Sequence, residues 1–205
     1  MDKHGLRIGL LGGSFNPAHD GHRHLSIFAL KLLQLDQVWW LVSPQNPLKA
    51  SAGMASFAQR MRRAEQVARH PRIRVSDIER RIGTRFTADT LEKLTTRYSQ
   101  HSFVWLMGAD NLKQLPRWNR WEKIMETVPV AVFDRDPYSY TVLGQRAANR
   151  YRRFFWQQAD GRALASATPP AWGFFRMKRH PLSATKVRSC GAAPWPPETA
   201  PAMED

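Results

Sequence analysis

The 205-residue chain carries a single cysteine, Cys190, which excludes an internal disulfide framework and fits a reducing compartment. It also lacks any apolar stretch near the ~18 residues that a membrane span requires. The first apolar run, Leu6 to Leu11, is too short for the core of a secretory signal and leads straight into a glycine pair. A cytoplasmic protein without membrane association is therefore expected. Acidic residues are scarce, 17 against 31 Lys and Arg, for a net charge of +14. A field of that sign draws in nucleic acid, anionic membrane or phosphorylated metabolites without choosing among them. The arginines crowd between Arg60 and Arg81 and again between Arg146 and Arg153. Such runs are most often solvated helix faces. What is not scarce is apolar content, 42% of the chain, enough for a real core. One domain is expected over 1–191, with a proline-rich, aperiodic tail at 192–205 that is expected to lack fixed structure.

Strand-like and helix-like segments alternate. Arg7–Leu11 reads as a buried strand meeting the Gly12-Gly13 turn, and Gly21–Leu33 as a helix with a broad apolar face. Val38–Val42 and Ile73–Val75 read as strands around a basic helix over about 56–69. Thr87 is placed as the N-cap of a helix reaching about Arg97. Phe103–Met107 is the most strand-like run of all and ends at Gly108-Ala109-Asp110. Helical pieces around Leu112 and Trp121 precede a strand over Val128–Phe133. A basic helix is expected over Leu143–Phe155, an extended piece between Ala171 and Leu182, and a last helix opening near Thr185. This alternation predicts an α/β fold, a Rossmann-like doubly wound parallel sheet. In such sheets ligands bind at the carboxyl ends of the strands, where Gly12-Gly13, Ser43-Pro44 and Gly108-Ala109-Asp110 all fall.

The first loop reads Gly12-Gly13-Ser14-Phe15-Asn16-Pro17-Ala18-His19-Asp20-Gly21-His22. Glycines after a strand let backbone approach a phosphate without a Cβ in the way, and the following helix start is an anion site. His19 and His22, three apart, can face one small volume and aim N–H donors at a phosphoryl group. A lone histidine here would more often cap or pack. The pair within this string is different, because its seven defined positions recur by chance on the order of one time in a billion per start site. A zinc site would need further Cys or carboxylate ligands, and no cluster in the sequence supplies them, so no metal ligands are assigned.

The string resembles the Gly-Gly-x-Phe-x-Pro-x-His-x-Gly-His signature of the nucleotidylyltransferase superfamily. Ser183-Ala184-Thr185-Lys186-Val187-Arg188 is similar to that superfamily's second signature, usually Ser-Ser/Thr-Thr-x-x-Arg. Gly108-Ala109-Asp110-Asn111-Leu112 with Leu115-Pro116-Arg117-Trp118 resembles the Gly-x-Asp-x-Leu…Trp stretch of bacterial nicotinate-nucleotide adenylyltransferases. Phe86-Thr87-Ala88-Asp89-Thr90-Leu91 is similar to that family's Tyr-Thr-x-x-Thr-Leu, with Phe for Tyr. The likeness runs from about Leu6 to Arg188 with its motifs in the family's order.

The resemblance implies adenylyl transfer from ATP to nicotinate mononucleotide, with Mg²⁺ carried mainly by the ATP phosphates, as a step toward NAD. It implies that Gly12, Gly13, Ser14 and Phe15 line the adenosine and α-phosphate site, and that His19, His22 and Arg188 are catalytic. Ser183 and Thr185 would receive the outer phosphates, Lys49 would make a point-charge contact, Asp110 would hold a ribose hydroxyl, and Arg135 would lie near ATP. Thr87 at its helix start would take the nicotinate carboxylate, Trp118 would stack on the pyridine ring, and Gly108 would line the same pocket. Pro44-Gln45-Asn46-Pro47-Leu48-Lys49 lacks the histidine of the family's Pro-x-x-Pro-His-Lys, and Arg135-Asp136-Pro137 stands where Arg-Pro-Gly is commoner. The tail replaces the family's C-terminal helix, which leaves the existence of a homo-oligomer open.

The rival acceptors are nicotinamide mononucleotide and phosphopantetheine, although the phosphopantetheine branch usually has threonine at the position of His19. CTP-using siblings usually carry Arg-Thr-Glu-Gly, absent from this sequence. A non-catalytic nucleic-acid-binding domain would account for the charge. It would not account for Gly, His, Ser, Thr and Arg motifs recurring at strand ends.

Overall fold

The computed structural model describes residues 5–44, 54–134, 139–156 and 161–177. Its centre is β1 (Arg7–Gly13), whose apolar run is buried on both faces, as a parallel strand covered by helices on each side must be. Ile8 and Leu10 face one core while Leu11 faces the other, the alternation that a strand imposes. From β1 the chain winds outward through α1 (Asp20–Leu32), β2 (Gln37–Val42), α2 (Phe57–Ala68) and β3 (Ile73–Ser76). It then crosses beneath the sheet through α3 (Ile78–Arg81) and α4 (Thr87–Arg97) to β4 (Ser102–Gly108), on the other side of β1. Next come α5 (Ala109–Gln114), α6 (Trp121–Thr127), β5 (Val130–Phe133), α7 (Arg146–Arg150), β6 (Phe155–Trp156), α8 (Gly161–Leu164) and β7 (Trp172–Phe175).

The strand order is β3-β2-β1-β4-β5-β7-β6 and every pairing is parallel. One core joins the sheet to α4, α5, α6 and α7 through Leu91, Leu94, Leu112, Ile124 and Ala147. The other joins it to α1, α2 and α8 through Leu25, Ala29, Ala64, Val67 and Leu164. The winding reverses between β1 and β4, so the crevice at their carboxyl ends is the switch point where this architecture places ligands.

Two expectations are corrected. The helix expected over Leu143–Phe155 is broken into a 3₁₀ turn over 139–144, the short α7, a second 3₁₀ turn over 152–154, and β6. Continuing the helix would require the Phe155 N–H to donate to the Tyr151 carbonyl. That carbonyl instead accepts the Phe154 N–H of the 3₁₀ turn and the buried Trp172 indole, both at 2.9 Å, and Phe155 pairs with β7 as an edge strand. Tertiary contacts therefore override the local pattern. Likewise Thr87 is not the N-cap of α4: Phe86 holds the cap position with extended backbone, and Thr87 is the first helical residue. The expected tail over 192–205 and the helix near Thr185 lie outside the described residues.

Candidate active site

The loop between β1 and α1 is held from three directions. Phe15 adopts φ +46°, a left-handed conformation that costs a bulky residue about 1–2 kcal/mol. Its ring is only 2% exposed and stacks on Trp40 at 5.1 Å, with His22 at 4.9 Å on another side. Burying a phenylalanine is worth about 1.5–3 kcal/mol, enough to offset the strained backbone. Phe15 thus anchors the loop through its ring, so that only its backbone is left to line a ligand. The Ala55 N–H donates to Asn16 Oδ1 at 3.1 Å, and Arg60 grips the Ser14 carbonyl at 2.7 Å.

The two histidines meet as the spacing requires, with ring centroids 3.9 Å apart. His19 is the N-cap of α1 and its Nδ1 accepts from the Gly21 N–H at 3.1 Å. His22 Nδ1 accepts from the His19 N–H at 3.2 Å. Capping and chemistry are therefore not alternatives here. With each Nδ1 occupied as an acceptor, the ring proton resides on Nε2, and each imidazole presents a fixed Nε2–H donor at a helix N-terminus. That arrangement suits an oxyanion or a phosphoryl oxygen.

The glycine pair divides its labour. A Cβ on Gly12 would run into the indole of Trp105, whereas one on Gly13 would meet only ordinary contact with Phe15. Gly12 is thus needed for packing, and Gly13 is the position where backbone can come close to a ligand. Trp105, on β4, also meets Trp118 edge-to-face at 6.5 Å, so one buried indole links the glycine loop to the half-buried Trp118. Gly108 ends β4 as the N-cap of α5, and Asp110 stands exposed in the first turn. Thr87 opens α4 half-buried. Arg120, also in left-handed backbone at φ +50°, follows Trp118 and reaches across to α4. It donates to Asp89 Oδ1 at 2.8 Å and to both Glu92 oxygens, at 2.9 and 3.0 Å.

Of the residues singled out in the sequence, Gly12, Gly13, Ser14, Phe15, His19, His22, Thr87, Gly108, Asp110 and Trp118 lie at or beside the carboxyl rim of β1 and β4 or at the start of α4. Lys49, Arg135, Ser183, Thr185 and Arg188 lie outside the described residues.

Two residues at the rim escape sequence reasoning. Arg60, within the run read as solvated, is only 1% exposed, and burial lowers its pKa. A signal was present: Arg60 shares with Ala64 and Val67 the i, i+4, i+7 stripe that α2 buries. Within the same run Arg62 and Arg63 are half-buried, while Arg69, Arg72, Arg74, Arg80 and Arg81 are exposed as read. Glu79, on α3, is 5% exposed, and burial pushes its carboxyl up to about 7 against hydrogen bonds from Thr90 and Ser43. Its only mark in the sequence is an acid beside Ile78 in a basic stretch.

Comparison with known proteins places the chain in a family. The cytidylyltransferase-like family model matches residues 10–189. A Parvibaculum lavamentivorans protein named "Probable nicotinate-nucleotide adenylyltransferase" is 54% identical over 187 residues, 91% of this chain and 93% of its own. A Bradyrhizobium relative of the same name is 50% identical over 184 residues, 90% of this chain and 96% of its own. Among solved structures, the Plasmodium falciparum nicotinic acid mononucleotide adenylyltransferase complexed with NaAD superposes with TM-score 0.65. That match covers 89% of this chain and 82% of the other at 15% identity, a likeness of fold. The chain belongs to the cytidylyltransferase-like family and, within it, to the nicotinate-nucleotide adenylyltransferases.

Proposed function

We infer that this protein transfers the adenylyl group of ATP to nicotinate mononucleotide, giving nicotinate adenine dinucleotide and pyrophosphate, a step in making NAD. The observation that carries the reading is the histidine pair, fixed with both Nε2–H donors at the N-terminus of α1 beside Gly13. A 5′-phosphate oxygen of the mononucleotide attacks the α-phosphorus of ATP in line. The new P–O bond forms as the bond from the α-phosphorus to the α,β-bridging oxygen breaks, and pyrophosphate departs with that electron pair. A phosphate monoester dianion is already nucleophilic, so no residue need remove a proton. The protein's work is to bring two anions together and stabilise the charge that develops.

In this reading the neutral Nε2–H groups of His19 and His22 bind the phosphoryl oxygens, and Arg188 adds a cationic donor. Gly13 and Ser14 contribute backbone to the α-phosphate side, while Gly12 supports them from beneath through Trp105. Phe15 acts by anchoring the loop. Lys49, Arg135, Ser183 and Thr185 serve the outer end of ATP, and Asp110 holds a ribose hydroxyl. Thr87 and the N–H groups at the start of α4 take the nicotinate carboxylate, which a helix N-terminus prefers to a neutral amide. Trp118 offers its face to the pyridine ring, with Gly108 beside it.

Mg²⁺ would be held mainly by the ATP phosphates and would neutralise charge on the leaving pyrophosphate. Among the described residues there is no group of three or more His, Cys, Asp or Glu that could hold a metal ion. No helix among the described residues is long and apolar enough to cross a membrane, and a cytoplasmic site of action belongs to the same reading.

Pyrophosphate release with ATP and Mg²⁺, compared across nicotinate mononucleotide, nicotinamide mononucleotide and phosphopantetheine, tests the acceptor. Turnover on the nicotinate substrate far above the other two is expected. Preference for another acceptor would discard the roles of Thr87 and Trp118, and salt-sensitive nucleic-acid binding without turnover would discard the reading itself.

A further inference from the structure

Beneath the rim a buried polar chain joins the nucleotide side to the acceptor side. Arg60 begins it. Its Nη1 donates to the carbonyls of Ser14 and Ser43, both at 2.7 Å, its Nη2 to the Pro44 carbonyl at 2.9 Å, and its Nε to the Ala55 carbonyl at 3.2 Å. All four are main-chain acceptors, and they come from three segments: the loop after β1, the loop after β2, and the residue before the Ser56 cap of α2. A rigid five-donor fork can hold such a set together, which a lysine cannot.

Ser43 is the junction. Its carbonyl takes Arg60 and its side chain hydrogen-bonds to Glu79. On the far side of Glu79, Oε1 lies 3.4 Å from the hydroxyl of Thr90, which is 0% exposed in the first turn of α4. That hydroxyl also meets Thr84 Oγ1 at 2.8 Å and the Phe86 carbonyl at 3.1 Å. The Thr84 hydroxyl can donate its own proton to Thr90, which leaves the single Thr90 proton to serve both the Phe86 carbonyl and Glu79. A protonated Glu79 supplies a further donor and completes the set, in keeping with the raised pKa of this carboxyl.

We propose that Arg60 and Glu79 are positioning residues which, through their shared hold on Ser43, fix the loop after β1 against the start of α4 and so set the spacing between bound ATP and bound acceptor. The inference rests on the function proposed above, and it assigns neither side chain to the reacting atoms. In-line transfer is sensitive to ångström-scale misplacement of its two partners. Loss of the chain therefore lowers kcat more than it weakens the binding of either substrate.

The test is steady-state kinetics with ATP and nicotinate mononucleotide, with calorimetric ATP binding and thermal melts, on wild type, Arg60→Lys, Glu79→Leu, Glu79→Gln and Ser43→Ala. Arg60→Lys and Glu79→Leu are expected to lose roughly tenfold in kcat with ATP Kd and acceptor KM within about threefold. Glu79→Gln, a neutral isostere, restores kcat. Ser43→Ala leaves the Arg60 bond to the main chain intact and cuts only the link to Glu79, so a smaller loss in the same direction is expected from a variant that folds. Unchanged kcat in folded Glu79→Leu and Ser43→Ala would overturn the proposal. So would a loss that merely tracks the folded fraction, or one carried by ATP Kd alone. A wild-type enzyme with no turnover would overturn the functional reading and this inference together, whereas an active wild type with indifferent variants would overturn this inference alone.

Discussion

On the nucleotide side of the rim the supporting residues are buried: Phe15 at 2%, His19 at 4% and Arg60 at 1% exposure, tied mainly through main-chain groups. On the acceptor side Thr87 and Trp118 are half-buried, and α4 is joined to the Trp118 segment by an exposed cluster of Arg120, Asp89 and Glu92. Buried donors held by main chain keep one geometry and act in a low dielectric. Exposed ion pairs are screened and individually weak. In the proposed function the phosphate-binding side is thus held mainly by buried main-chain contacts, and the acceptor side combines a buried foothold at Thr90 with an exposed ion-pair cluster.

The largest break in this contrast is expected from the histidines. His22→Ala should lower kcat by roughly 10²–10³-fold while leaving the fold intact, as removal of one preorganised donor to a developing oxyanion does. Single-turnover rates on a variant of unchanged melting temperature check this. The glycine pair comes next. Gly12→Ala forces a methyl into the Trp105 indole and should destabilise by about 1–3 kcal/mol, as overpacking does. Gly13→Ala meets only ordinary contact and should keep its melting temperature while ATP affinity falls. Urea unfolding beside ATP titration separates the two.

Glu79 gives the buried support a pH signature. Its folded pKa of about 7 lies above the ordinary value of 4.5, so the native state holds a proton that the unfolded state has released. The stability it contributes is full below pH 4.5 and is lost as pH rises to about 7, a difference of about 3 kcal/mol at 1.36 kcal/mol per unit. Denaturant midpoints at pH 5 and 8 should differ less in Glu79→Gln than in wild type. The smallest effect is expected at the exposed cluster. Arg120→Ala should raise acceptor KM roughly two- to fivefold, with little change in melting temperature and less difference from wild type at high salt.

The fold was largely legible because parallel strands buried on both faces announce themselves as unbroken apolar runs, as at Val38–Val42 and Phe103–Met107. The histidine loop was legible because its chemistry and its capping use neighbouring residues of one segment. Three features were not. Arg60 and Glu79 acquire their roles from partners 46 and 11 positions away, and composition alone files them with solvated charge. The break after Tyr151 depends on an indole 21 residues downstream. The split between Gly12 and Gly13 depends on which of them faces Trp105.

The most direct test of the central claim is chromatographic detection of nicotinate adenine dinucleotide formed from ATP and nicotinate mononucleotide, by wild type and by His19→Ala/His22→Ala at matched folded fraction. Stoichiometric dinucleotide and pyrophosphate are expected from wild type, and a rate lower by at least roughly a hundredfold from the double variant. Dinucleotide formed at equal rates by both would contradict that claim, because the paired Nε2–H donors would then have no part in the transfer.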